Sequence, residues 1–330
     1  PAVNILNAAD ASYKGTLSME GIASATGKLG GLAVADGKLI ASNIVSDKQN
    51  LRVYIWDNDA AAPRVLVQKD AAGIITGGSI AFSGTLNNGR VWLTKEGANE
   101  IVYFEIKNGS CDNNIHTIAL KNAKGEAYKY GSDGRGASKI YPNADGSFWM
   151  VQKDGDVAKF DASGKITDEV LPAAALGGSR YGTAFAPFNV GNKKYIAAIT
   201  YKTGNIGNGQ IAIIDVTDGI AKATAPIMNL PEEGFGSVDN AQFASAVIAQ
   251  AGGSLNGNIS LYVNVHNQGI ARFFYEGESK DAISDVISIK DAEGDAEYYN
   301  LQGVRIAADN LTTGVYIRRQ GNKAEKVYVK

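Results

Sequence analysis

The chain has 330 residues, 45 % of them hydrophobic and 20 % charged, with 32 Lys and Arg set against 34 Asp and Glu and a single cysteine. That is length enough for one large domain with its own core plus a small appendage. The near-neutral balance argues against a general nucleic-acid binder, which carries a strong basic excess. Cys111 alone excludes an intramolecular disulfide. No apolar run reaches the 18 residues of a membrane-spanning helix, and the N-terminus, which opens on Pro1, reads as trimmed.

A four-residue apolar segment, VNIL (3–6), comes first, and a repeat follows it. Each unit opens on a strand of small residues: GGLAVADG (30–37), GSIAFSG (78–84), GASKIYPNADG (136–146), GTAFAPFNVG (182–191) and AQFASAVIAQAGG (241–253). A Gly, Asn or Asp turn leads to a strongly apolar second strand at 39–45, 90–95, 147–152, 195–201 and 259–265. The third strand ends in a polar turn and is the clearest echo: RVYIWDND, IVYFEIKNG, DVAKFDASG, QIAIIDVTDG and GIARFFYEGE. Taking Val53, Val102, Val157, Ile211 and Ile270 as equivalent gives steps of 49, 55, 54 and 59 residues. A shorter fourth strand falls at 64–68, 116–121, 166–171 and 224–230, the last interrupted by Pro226.

A repeat of this period made only of strands predicts a β-propeller. Five blades is the expectation, with six as the alternative if residues 1–28 hold a degenerate blade. The fifth unit supplies only three strands, so VNIL is expected to complete it and close the ring, removing exposed sheet edges. Trp92 and Trp149 fall at matching places in second strands and are expected to pack between neighbouring blades.

From about Ala282 the pattern changes. EYYNL (297–301), GVYIRR (314–319) and KVYVK (326–330) read as a small antiparallel β appendage, dividing the chain into a propeller at 1–281 and a tail at 282–330. Ala282–Ile283–Ser284, Tyr299–Asn300–Leu301–Gln302–Gly303, Gly314–Val315–Tyr316–Ile317 and the closing Lys326–Val327–Tyr328–Val329–Lys330 carry a resemblance. This tail resembles the C-terminal sorting tail of many exported proteins of Bacteroidetes bacteria. The body resembles β-propeller proteins of the same group. The resemblance implies an extracytoplasmic protein (secreted, at the cell surface or periplasmic) that meets an export or sorting machinery through its tail. It implies no activity and carries over no functional residue.

Chemistry is sparse. With two histidines, His116 and His266, and no HExxH or CxxC, no metal site and no cofactor is expected. Asp57–Asn58–Asp59 and Asp154–Gly155–Asp156 lack the spaced ligand series of a calcium loop and read as turns. The first strands lack the carboxylate pair that glycoside hydrolysis needs, and no catalytic residue is assigned. Polar side chains do gather in the loops entering first strands and joining second to third strands. Arg135, Arg180, Tyr181, Asp239, Asn240, Lys202, His266 and Asn267 are the candidate ligand-binding group, suited to a glycan or peptide. The expected function is a non-enzymatic extracytoplasmic binding or interaction module. A glycan-active hydrolase or lyase using Asp239 with a loop carboxylate such as Glu96, and an envelope structural protein, are the alternatives.

Overall fold

The structure, a computed structural model, describes residues 3–7, 12–22, 29–43, 50–70, 79–95, 99–128, 138–152, 157–171, 179–202, 209–235, 246–251, 259–265, 269–275, 297–300, 304–320 and 323–329. Strands dominate these, and no α-helix forms among them. The chain divides into two compact units, Pro1–Tyr275 and Glu276–Lys330.

The first unit is a succession of antiparallel meanders. Sheet I runs in order through Leu29–Ala35, Lys38–Asn43, Leu51–Trp56 and Arg64–Lys69. Sheet II holds Ile80–Thr85, Asn88–Thr94 and Glu100–Lys107, with its outermost strand in two pieces, Ser110–Cys111 and His116–Ala119. Sheet III comprises Ser138–Pro142, Phe148–Gln152, Val157–Phe160 and Ile166–Leu171. Sheet IV comprises Ser179–Val190, Lys193–Lys202, Gln210–Asp215 and Met228–Leu230. Sheet V comprises Ala246–Ala251, Ile259–Val265 and Gly269–Tyr275. The first strands adjoin one another in sequence order, I to II through IV to V. This is how propeller blades are laid down.

The core is a set of slabs between consecutive sheets, because a strand's alternating side chains give each sheet two apolar faces. Val53, Ile55 and Val67 of sheet I meet Val91, Val102 and Phe104 of sheet II. Trp92 and Ile101 meet Phe148, Met150 and Phe160 of sheet III. Trp149, Val151 and Val157 meet Phe185, Ile196 and Ile214 of sheet IV. Ile199, Ile211 and Ile213 meet Leu261, Val263 and Val265 of sheet V. The two tryptophans thus sit between neighbouring sheets. One expected equivalence shifts by a residue: Val102 faces back toward sheet I, while Val53, Val157 and Ile211 face forward, so Ile101 is their counterpart. A slip of one residue turns a strand's side chains to the opposite face.

The N-terminal strand departs from expectation. Asn4–Leu6 pairs with Tyr13–Thr16 in a two-stranded sheet rather than with sheet V. The physical reason lies on sheet I, whose face turned away from sheet II carries Ala41, Tyr54 and Trp56. Leu17, Val3, Ile5 and Met19 bury that face, and the Trp56 indole N–H donates to the Ser18 carbonyl at 2.8 Å. The apolar side chains of the segment find their partners there.

The second unit is a four-stranded antiparallel sheet with strand order Arg305–Ile306, Glu297–Tyr299, Gly314–Gln320, Lys323–Val329. Tyr298, Val327 and Val329 are buried, and Glu297 accepts from the Tyr299 hydroxyl at 2.7 Å and pairs with Arg305 at 3.1 Å.

Candidate functional site

Arg135, Asp239, Asn240, His266 and Asn267, together with Glu96, lie outside the described residues. Arg180, Tyr181 and Lys202 are described by their backbone. Sheet IV pairs Ser179 with Lys202, Arg180 with Tyr201 and Tyr181 with Thr200, which puts these three candidates on adjoining rungs at one end of a hairpin. Buried polar side chains that the sequence reading did not single out hold neighbouring strand ends. Asn43 donates to the Asn50 carbonyl at 2.8 Å and accepts the Arg52 amide at 2.7 Å, clamping the two ends of the connection from second to third strand.

At the opposite ends of these strands, sheets III and IV part to form a cleft of about 310 Å³. One rung there differs from its counterpart in sheet II. Trp92 of sheet II lies opposite Tyr103, and the rings stand 5.4 Å apart. The matching Trp149 of sheet III lies opposite Lys159, whose ammonium sits 5.7 Å from the centre of the indole.

At the base is one aromatic ring, Trp149, which packs on Phe185 at 5.6 Å. Phe188 and Tyr195, stacked at 5.4 Å, border the cleft from sheet IV but pack into the core slab shared with sheet V. One wall is the turn joining the first two strands of sheet III. There Asp145 accepts the Ser147 amide at 2.9 Å and its hydroxyl at 2.5 Å, while the Asn143 amide donates to Ser147 Oγ at 3.0 Å. Gly146, at φ 84°, provides the left-handed residue this turn requires. The Ser147 hydrogen bonds, helped by the nearby Lys159 charge, hold the Asp145 carboxyl below the usual carboxylate range. The other wall comes from sheet IV: Asn189, Lys194 and Thr217, with Thr217 Oγ1 accepting the Lys194 amide at 3.0 Å. The cleft residues on sheet III were legible as a polar turn, yet nothing in the spacing of the sequence says that Lys194 and Thr217 stand across from them.

Chemically, the cleft offers amides, hydroxyls, two ammonium groups and one carboxylate over the mostly covered ring of Trp149. Asp145 is the one carboxylate lining it, and general acid and base work on a glycosidic bond takes two. Among the described residues no cluster of His, Cys, Asp and Glu could hold a metal ion, and no helix is long and apolar enough to cross a membrane.

No protein-family model matches the sequence, and no curated protein matches it. A solved structure does share the fold. A DUF4623 family protein from Bacteroides eggerthii superposes with a TM-score of 0.55 at 16 % identity over 75 % of this chain. The present chain spans 58 % of that protein's length. An endo-arabinase from Bacteroides thetaiotaomicron gives a TM-score of 0.42 at 11 % identity, covering 74 % of this chain and 90 % of its own. A GH43 protein from Bacillus licheniformis gives 0.39 at 10 % identity, covering 74 % and 51 %. At such identity the likeness to the Bacteroides eggerthii protein is one of fold.

Proposed function

We propose that the protein is a non-enzymatic binding module that acts outside the cytoplasm and takes a short stretch of glycan into the cleft between sheets III and IV. The observation that carries this reading is the cleft itself, with Trp149 at its base and Asn143, Asn189, Thr217 and two lysines at its rim. Small-molecule sites gather a few convergent polar groups in such a concavity, and 310 Å³ lies at the lower end of their volumes. The loop group of Arg135, Arg180, Tyr181, Lys202, Asp239, Asn240, His266 and Asn267 forms a second contact surface in this reading. The tail at 282–330 meets the sorting machinery. The five sheets are five blades of a ring, and the N-terminal hairpin fills a narrow sixth position beside sheet I, supported by its burial of Ala41, Tyr54 and Trp56.

The test is a glycan array followed by calorimetry on the full chain and on Asn189→Trp, which plugs the cleft from the exposed end of a strand. Saccharide binding that disappears in N189W supports the site. Binding that N189W leaves unchanged, or silence across broad acidic and neutral libraries, removes it.

A further inference from the structure

The cleft has a charge character that its size does not require. Lys159 and Lys194 both line it, and neither forms an ion pair with a described residue. This contrasts with Lys38, Lys95 and Lys107 elsewhere on the molecule, each within 2.8 Å of a carboxylate. Among the described residues the lining has one acidic group, Asp145, which takes both Ser147 hydrogen bonds on Oδ1 and keeps its single negative charge. One carboxylate offsets only one of the two ammonium groups, so the lining is net positive. Lys159 is also held in place, its stem beside Trp149 and its ammonium over the indole face, so less side-chain freedom is lost when it meets a ligand.

From these contacts we infer that the cleft selects an acidic saccharide, one bearing a carboxylate or sulfate group, with Lys159 and Lys194 taking the anion from the two walls. This inference rests on the reading of the cleft as a glycan site and adds the chemical class. Lys159 meets the anion above Trp149, and Lys194 meets it from the start of the second strand of sheet IV. The Asn143 and Asn189 amides and the Thr217 hydroxyl are left for ring hydroxyls. Two cations acting on one anion at an exposed site give binding that weakens with salt.

Calorimetry with the full chain tests this with three probes: a galacturonate trisaccharide, a neutral arabinose trisaccharide and sodium sulfate. Three variants accompany them: the charge-removing pair Lys159→Gln with Lys194→Gln, the charge-keeping pair Lys159→Arg with Lys194→Arg, and Asn189→Trp. All exchange exposed or rim side chains, and thermal melts matching the parent show that each is folded. The expected result is binding of the acidic trisaccharide that falls at least tenfold in the Gln pair, survives in the Arg pair and weakens as salt rises from about 50 to about 300 mM and the screening length shortens. The neutral sugar and free sulfate bind at least tenfold more weakly. Neutral sugar bound as tightly as acidic, with both abolished by N189W, overturns the charge inference and leaves the glycan site standing. Acidic sugar bound equally by parent and Gln pair overturns it too, and if N189W also binds normally the site falls with it. Sulfate bound as tightly as the acidic sugar overturns the saccharide part and leaves a simple anion site.

Discussion

Trp56 donates its indole N–H to the main-chain carbonyl of Ser18 over 2.8 Å, joining the third strand of sheet I to the segment that follows the N-terminal hairpin. The bond is shielded, since Trp56 is 2 % exposed and packs with Leu17, Ala41 and Tyr54. Replacing Trp56 by Phe keeps much of the apolar contact and leaves the Ser18 carbonyl without its donor. The expected loss is about 1–3 kcal/mol in urea unfolding, the cost of a buried unsatisfied polar group.

Removing residues 1–22 acts on the same face more severely. It returns Leu17 to water with its own segment and uncovers Ala41, Tyr54 and Trp56, at about 1.5–3 kcal/mol for each large side chain exposed. The shortened protein is expected to bind a hydrophobic dye and to show a red-shifted tryptophan emission before any loss of far-ultraviolet β signal. An unchanged melting temperature and emission would mean that the hairpin is an ornament and that some other segment closes sheet I.

A second test concerns the clasp between sheets II and III. The Lys121 amide donates to the Gly164 carbonyl at 2.8 Å, and the Ile166 amide returns to the Lys121 carbonyl at 2.8 Å. Gly164 holds φ 85°, and a Cβ there would press on the Ala119 carbonyl and the Ile118 methyl. Gly164→Ala therefore combines a left-handed-backbone penalty with overpacking, each about 1–3 kcal/mol. Gly125, at φ 87° with open space around its Cβ position, carries the backbone penalty alone. Unfolding free energies should rank Gly164→Ala well below Gly125→Ala, and equal losses would show that the Ile118–Ala119 strand end yields to the added methyl.

These particulars show where the sequence speaks and where it stops. The runs around Val53, Val157 and Ile211 are legible as strands because their apolar alternation has the sheet's own period and because turn residues punctuate them. Val102 was legible as a strand residue but not as a face, since Ile101, Val102 and Tyr103 are all apolar and the register with Leu93 decides which way each points. The three-residue strand Asn4–Leu6 is shorter still, and its partner is chosen by a tertiary surface, Tyr54 and Trp56, some fifty residues away. The cleft is of the same kind. Lys159 and Lys194 belong to different sheets, and the packing of Trp149, Val151 and Val157 on Phe185, Ile196 and Ile214 brings their walls together.

The first strand of sheet III makes the last prediction, one of pH. Lys139 and Tyr141 stand two residues apart on one face of it, and the Tyr141 hydroxyl accepts the Phe185 amide at 3.2 Å across to sheet IV. Burial pulls the Lys139 ammonium down from 10.5 to about 8 and pushes the Tyr141 phenol well above its usual range. The two signs are opposite. Between about pH 8 and 10.5 the unfolded chain holds a proton on Lys139 that the folded protein has released, so stability rises with pH through that window. Above about pH 10 the unfolded chain has lost the Tyr141 proton that the folded protein keeps, so stability falls. Urea unfolding from pH 7 to 11 should show Lys139→Met gaining stability on the order of 2–3 kcal/mol at pH 7, an advantage that shrinks toward pH 10. Tyr141→Phe should lose about 1–3 kcal/mol at pH 7 by leaving the Phe185 amide unpaired, and its deficit should narrow above pH 10 as the parent loses its own advantage. Parallel pH profiles for the parent and both variants would mean that neither side chain is desolvated by the meeting of sheets III and IV.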